Sequence, residues 1–326
     1  MSIERTLVKI AGCLLMMGSA HAGTLHLVQS IPLDGVEGRI DHMAIDIKGQ
    51  RLFVAALGNN SVEVLDLRAG KRVRSLTDFR EPQGVAWIAK PGQLFVASGG
   101  DAVCSVVDGR TFAIMHVGNR VEDADNVRHD AGAHRVYVGW GGGSLKVFDS
   151  TNWDELGEIR LPAHPEGFQL ETRGPRIFAD VPSSHRVAVI NRAIMKAADS
   201  WPLKSAEENF TMALDEEHRR VFVGCRKPPT LVVLDSDSGK EVTAVSIDSD
   251  TDDIFFDAKR NRIYISCGAG FIDVLDSTGF KMLERIPTAG GARTSLFVPE
   301  LNRFYVAVPH RGNQPAEVRV YETTGD

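Results

Sequence analysis

The chain has 326 residues, of which 43% are hydrophobic and 25% charged, with a formal net charge of −6. That length supports a sizeable core and one or two domains, and the composition excludes a low-complexity or disordered chain. The acidic balance, with no basic stripe interleaved with aromatics, argues against polyanion binding through counterion release, so no nucleic-acid partner is expected.

The first element in chain order reads apart from the rest. Arg5 and Lys9 form a basic region, Ile10 to Met17 a short apolar run, and Ala20-His21-Ala22 a small-x-small cleavage site. Residues 1–22 are therefore expected to be a signal peptide, cut before Gly23. The apolar run is too short to cross a bilayer. Ile10-Ala11-Gly12-Cys13 resembles a lipoprotein cleavage box, but Lys9 stands directly before it with no hydrophobic region ahead, which weakens that reading. Export to the periplasm or beyond is the expectation, with no membrane anchor after residue 22 and a monomeric chain.

Residues 51–66, RLFVAALGNNSVEVLD, read as strand, turn, strand. Leu52, Phe53 and Val54 are β-prone, Gly58-Asn59-Asn60 supply turn conformations, and Val62, Val64 and Leu65 resume the strand. The hairpin recurs at residues 94–108, 136–149, 177–191, 221–235, 263–276 and 304–322. Its first strands start at 52, 94, 136, 177, 221, 263 and 304, a step of 41–44 residues. A period near 40 residues containing only strands is the mark of a β-propeller blade. Each repeat adds an inner strand before the hairpin, such as residues 42–46, and a more polar fourth strand after it, such as residues 158–161. The blades run about 39–80, 81–122, 123–164, 165–207, 208–250, 251–291 and 292–322. Asp66, Asp108, Asp149, Asp235 and Asp276 close the third strands and precede Gly- or Ser-bearing turns, where an Asx-type bond to the turn backbone is expected.

The seventh repeat stops after its third strand. Its missing partner stands at the other end, where residues 28–33 (VQSIPL) parallel 283–288 (LERIPT), the fourth strand of blade six. The expected architecture is all-β, with residues 23–326 forming one seven-bladed β-propeller closed by an N-terminal strand that completes the last blade. Cys104, Cys225 and Cys267 follow the signal peptide. Cys225 and Cys267 occupy one register in neighbouring blades, where sheets about 10 Å apart disfavour a disulfide that needs Cα atoms within about 7 Å. Buried free thiols are expected, and no zinc-type Cys/His spacing is present.

These repeats, with RVYVGWGGGSLKVFD and RIYISCGAGFIDVLD, resemble those of the bacterial YVTN, or YncE-like, seven-bladed propellers across residues 23–326. Tyr137-Val138-Gly139-Trp140 and Tyr305-Val306-Ala307-Val308 stand where the signature carries its asparagine. The resemblance implies an exported propeller, often without assigned chemistry. A related seven-bladed family includes a sugar-phosphate lactonase.

Candidate functional residues come from the loops leading into the inner strands, which open onto one mouth of the channel. Aligned by repeat, they are Asp41-His42, Gln83-Gly84, Asp125-Asn126, Glu166-Gly167, Glu208-Asn209, Asp252-Asp253 and Arg293-Thr294. Gathering so many polar groups is costly unless water, a metal or a ligand satisfies them. A solvated mouth, an organic or anionic ligand site and a metal site all remain open. A ligand would meet Asp41, His42, Gln83, Asn126, Glu166, Asn209 and Arg293, with Arg293 suited to a carboxylate or phosphate. A metal would take Asp125, Glu166, Asn209 and Asp253, an oxygen set suited to calcium, magnesium or manganese. That set is similar in residue type to the one in metal-dependent gluconolactonase-like propellers, which have six blades. It implies a lactonase or related hydrolase with Asp253 as base and His42 as acid–base group. The first expectation is a binding or scaffold propeller recognising a small ligand or periplasmic protein, and the alternative is that metal-dependent hydrolase. The Gly-rich residues 139–144 join two strands and precede no helix, so a phosphate loop is not expected. No Gly-x-Ser-x-Gly elbow is present.

Overall fold

The computed structural model describes residues 23–118 and 121–325. The signal peptide expected over residues 1–22 lies outside them. The described residues form seven four-stranded antiparallel sheets, arranged as a seven-bladed β-propeller. The inner strands are Met43–Asp46, Pro82–Ile88, Val127–Asp130, Phe168–Leu170, Glu207–Asp215, Thr251–Asp257 and Ser295–Val298.

Burial follows the position of each strand in its blade. The second strand Arg51–Ala56 and the third strand Ser61–Asp66 are buried almost throughout, because both faces of the sheet meet a neighbouring blade. The outermost strand Glu241–Ser246 instead alternates partly buried and exposed residues. Aromatic pairs fill the seams between blades. Phe53 stacks on Trp87 at 5.3 Å and Phe95 on Trp153 at 5.5 Å between ring centroids.

Blade seven closes as the repeat pattern predicts. Leu25–Pro32 pairs antiparallel with Glu317–Thr323 and forms the outer strand. All seven pairings of third and fourth strands carry a register shift, the one made by Leu25–Pro32 included. Such a bulge increases local twist, so the borrowed strand reproduces the form of the other six. Asx turns form as expected, with Asp66 Oδ1 accepting from the amides of Arg68 and Ala69, both at 2.9 Å. At Gly58-Asn59-Asn60 the turn is a single 3-10 turn, Leu57–Asn59, ended by Asn60 in the left-handed region at φ 56°. Cys104, Cys225 and Cys267 are buried free thiols.

One device escaped the sequence reading. The arginine that opens the second strand reaches across to a turn carbonyl of the next blade in four blades: Arg51 to Gly109, Arg135 to Arg192, Arg176 to Ser236, and Arg262 to Thr324. Each guanidinium thereby satisfies a backbone acceptor at the blade seam, opposite the channel mouth.

Candidate functional site at the channel mouth

In blades two, five and six the inner strand begins at an irregularity in its pairing with the second strand. In blade two, Pro82 pairs with Ser98 and Gly84 with Ala97, leaving Gln83 as the extra residue. Phe210 and Asp252 are the extra residues in blades five and six. Asp41, Asp125 and Glu166 occupy the matching position, their amides bonded to the carbonyls of Ala55, Gly139 and Asp180. Arg293 completes the ring, next to Thr294, whose carbonyl accepts from Ala307. A bulge re-aims one side chain, and the register shifts in blades two, five and six do so at the mouth. All seven side chains line one cavity of about 150 Å³ at the channel mouth.

The first residue of the aligned pair lines the mouth in six blades; in the fifth the alignment fell two residues early, on Glu208-Asn209, and neither lines it. There Phe210, not Asn209, faces the mouth. Side chains alternate along a strand, so a slip of one residue turns the neighbour away. Asn209 is fully buried, and its Nδ2 donates to Asp180 Oδ1 at 2.7 Å and to the Arg186 carbonyl at 2.9 Å. It joins blades four and five and does not line the cavity. The signal was present in the spacing: each ring residue lies eleven residues before its second-strand start, 41 before 52 and 210 before 221. Asp253 sits beyond His42, in a second cavity of about 290 Å³ lined also by Met43, Arg128, Gln169 and Phe255. The four residues expected to hold a metal therefore do not converge: Asp125 and Glu166 meet, Asn209 turns away, and Asp253 lies deeper.

His42 stands between the two cavities. Its Nε2 lies 3.1 Å from Asp125 Oδ1 and 3.7 Å from Asp41 Oδ1, and its Nδ1 lies 4.0 Å from Asp253 Oδ1. Burial opposes the imidazolium, but the hydrogen bond to Asp125 and the charges of Asp41, Asp125 and Asp253 outweigh it and push His42 up to about 10. Burial also opposes the Asp125 charge, yet the bond to His42 holds Asp125 well below the usual carboxylate range. Glu166 is pushed up to about 9, first by burial and then by the charge of Asp125. It enters neutral pH as a carboxyl hydrogen-bonded to Asp125. Burial raises Asp41 to about 6 and Asp253 to about 7, with His42 partly offsetting each.

The opposite wall is basic. Arg226 lies 3.6 Å from the centroid of the Phe210 ring, and its Nη2 donates to Asp252 Oδ1. Arg293 pairs with Asp250 at 2.6 Å and Asp252 at 3.1 Å, while Arg39 grips Asp41 Oδ2 at 2.6 Å. His164 and Asp123 pair at 3.3 Å along the same lining. Arg39, Asp123, His164 and Arg226 were missed because they lie outside the repeated position. Blade two makes room for the acidic side: a Cβ at Gly84 would fall on the Asp125 carbonyl oxygen, so only glycine lets that loop approach.

Two acceptors in this ring have no donor among the described residues. They are Asp41 Oδ1 and Asn126 Oδ1, on residues 1% and 5% exposed. Buried acceptors left unsatisfied cost free energy, so these two atoms call for hydrogen-bond donors, water or a cation.

Fold and site together define a seven-bladed propeller with a ring of one side chain per blade at the channel mouth. No family model matches the chain, and no curated protein matches it. Among solved structures, the chain is similar to hydrazine synthase of Kuenenia stuttgartiensis. The match has a TM-score of 0.76 at 16% identity and covers 90% of this chain and 98% of that one. At that identity the likeness shows the fold alone.

Proposed function

We propose that this is an exported binding propeller whose channel mouth takes up a small polar ligand. One observation carries the reading: seven equivalent positions converge on a recessed cavity of about 150 Å³ that holds two buried acceptors without donors among the described residues. A cavity of that size suits a ligand of a few heavy atoms, comparable to benzene in bulk but polar throughout. Asp41 and Asn126 would accept its donors, Arg226 and Arg293 would face any acidic group, and Phe210 offers a ring face. The repeats' resemblance to YncE-like propellers and the signal peptide read over residues 1–22 support placing it outside the cytoplasm.

The test is a thermal-shift and calorimetric screen with small ammonium and guanidinium compounds, polyols and divalent cations. Wild type is compared with Asp41→Asn and Asn126→Ala. At least one donor-bearing class is expected to raise the melting temperature of wild type, with affinity falling at least tenfold in both variants. Binding unchanged in both folded variants, or no stabilisation by any class, would sink the proposal.

A further inference from the structure

We infer that Asp41, His42 and Asp125 form a binding site for one divalent transition-metal ion. The inference deepens the proposal above and rests on it, since the ion would occupy the same mouth. Three donor atoms from blades one and three converge there: Asp41 Oδ1, Asp125 Oδ1 and His42 Nε2, the last becoming a ligand as the ion displaces the proton it shares with Asp125, all within 4.8 Å of one another. Nitrogen and oxygen ligands lie about 2.0–2.2 Å from such an ion, which places neighbouring donors about 3–3.5 Å apart. The observed 3.1 Å and 3.7 Å from His42 Nε2 sit close to that spacing.

Two independent features point the same way. The first is the orphaned acceptors. Asp41 Oδ1 faces the cluster without a donor, and Asn126 Oδ1, beside Asp125 and lining the same cavity, is also unpartnered. The second is that each donor has a charged or hydrogen-bonded outer neighbour. Asp253 Oδ1 lies 4.0 Å from His42 Nδ1, an ion-pair distance on the side of the ring away from Nε2. Arg39 grips Asp41 Oδ2 and leaves Oδ1 free to turn inward. Glu166 hydrogen-bonds Asp125. Outer carboxylates that fix a ligating imidazole are a regular part of metal sites.

The donor set also decides the ion. One imidazole with two carboxylates suits zinc, cobalt, iron or manganese, whereas calcium and magnesium favour oxygen alone. Of the all-oxygen set read from the sequence only Asp125 is kept: Asp41 and His42 join it, while Glu166, Asn209 and Asp253 are not ligands.

The experiment uses the whole folded protein after treatment with a chelator. It is titrated with Co²⁺ and then Zn²⁺, followed by calorimetry and visible absorption. One equivalent of Co²⁺ is expected, with ligand-field bands lost in His42→Gln and affinity reduced at least a hundredfold. Asp41→Asn is expected to weaken binding at least tenfold, and Arg39→Met about tenfold, as for an outer partner. Asn209→Ala should bind normally, and Ca²⁺ at equal concentration should not displace Co²⁺. Thermal melts establish which variants are folded; if one ligand variant fails to fold, the other decides. Full binding in a folded His42→Gln or Asp41→Asn overturns the site, as does no binding by wild type. If metal fails but a donor-bearing organic compound still binds wild type and is lost in Asn126→Ala, only the metal inference falls. If neither binds, both readings fall.

Discussion

At the scale of single residues, the most informative position is the pair Asp180 and Asn209. Asn209 was expected to face the channel and instead ties two blades together beneath it. Its partner Asp180 is fully buried, and burial raises its carboxyl well above the ordinary value, with the Asn209 bond only partly offsetting this. A folded-state pKa above the unfolded value of about 3.9 means that the folded state binds the proton more tightly. The group therefore favours folding at low pH, and that contribution is lost as pH rises above about 4 toward the folded pKa. Asp180→Asn keeps an acceptor for Asn209 and removes the titration. Its melting temperature should exceed that of wild type increasingly as pH rises from 4 to 9. A difference that stays constant over that range would show that Asp180 is not held neutral by the fold.

At the scale of strands and seams, the repeated arginines bring blades together at the face opposite the mouth. Arg176 is the fullest case: it bonds Glu171, reaches the Ser236 carbonyl, and lies 5.0 Å from the Phe178 ring centroid. Losing a charged donor to a partly buried acceptor costs about 1–3 kcal/mol. Arg176→Leu should lower the denaturation midpoint accordingly, while Arg160→Leu, on a side chain 88% exposed, should change stability by less than about 0.5 kcal/mol. Equal effects in urea titrations of the two variants would remove the arginines from the account of the seams. The period and the hairpins were legible because strand propensity and turn chemistry are local properties. The Arg51 and Arg176 contacts were not, because an arginine opening a strand reads as solvated until the next blade supplies a carbonyl. The mouth was legible in six blades for the same reason. It failed in the fifth because the ring position there holds the apolar Phe210 while a polar pair, Glu208-Asn209, stands just before it, so only the offset from the following strand marks the position.

At the scale of the molecule, closure depends on a strand borrowed from the far end of the chain. That strand buries Leu25 and Ile31, and Leu33 follows it into the core. Three such side chains contribute about 1.5–3 kcal/mol each, against a net stability of about 5–15 kcal/mol for a domain. A variant starting at Val36 should melt more than 10 °C lower than the chain starting at Gly23, or fail to stay soluble; matching melts by circular dichroism would refute the closure. The seven-blade count and this closing strand were both readable from the repeat, because the last repeat lacks a fourth strand and the first residues match one.

The pairing of Leu25–Pro32 with Glu317–Thr323 also sets an order in time. During synthesis the closing strand leaves the ribosome before the seven repeats and its partner after most of them, so the ring stays open until Glu317–Thr323 has been made. Until then, the third strand of the final blade does not exist and the first strand has no place to pair. Any chain that stalls early therefore carries an unpaired strand edge, the feature by which β proteins aggregate.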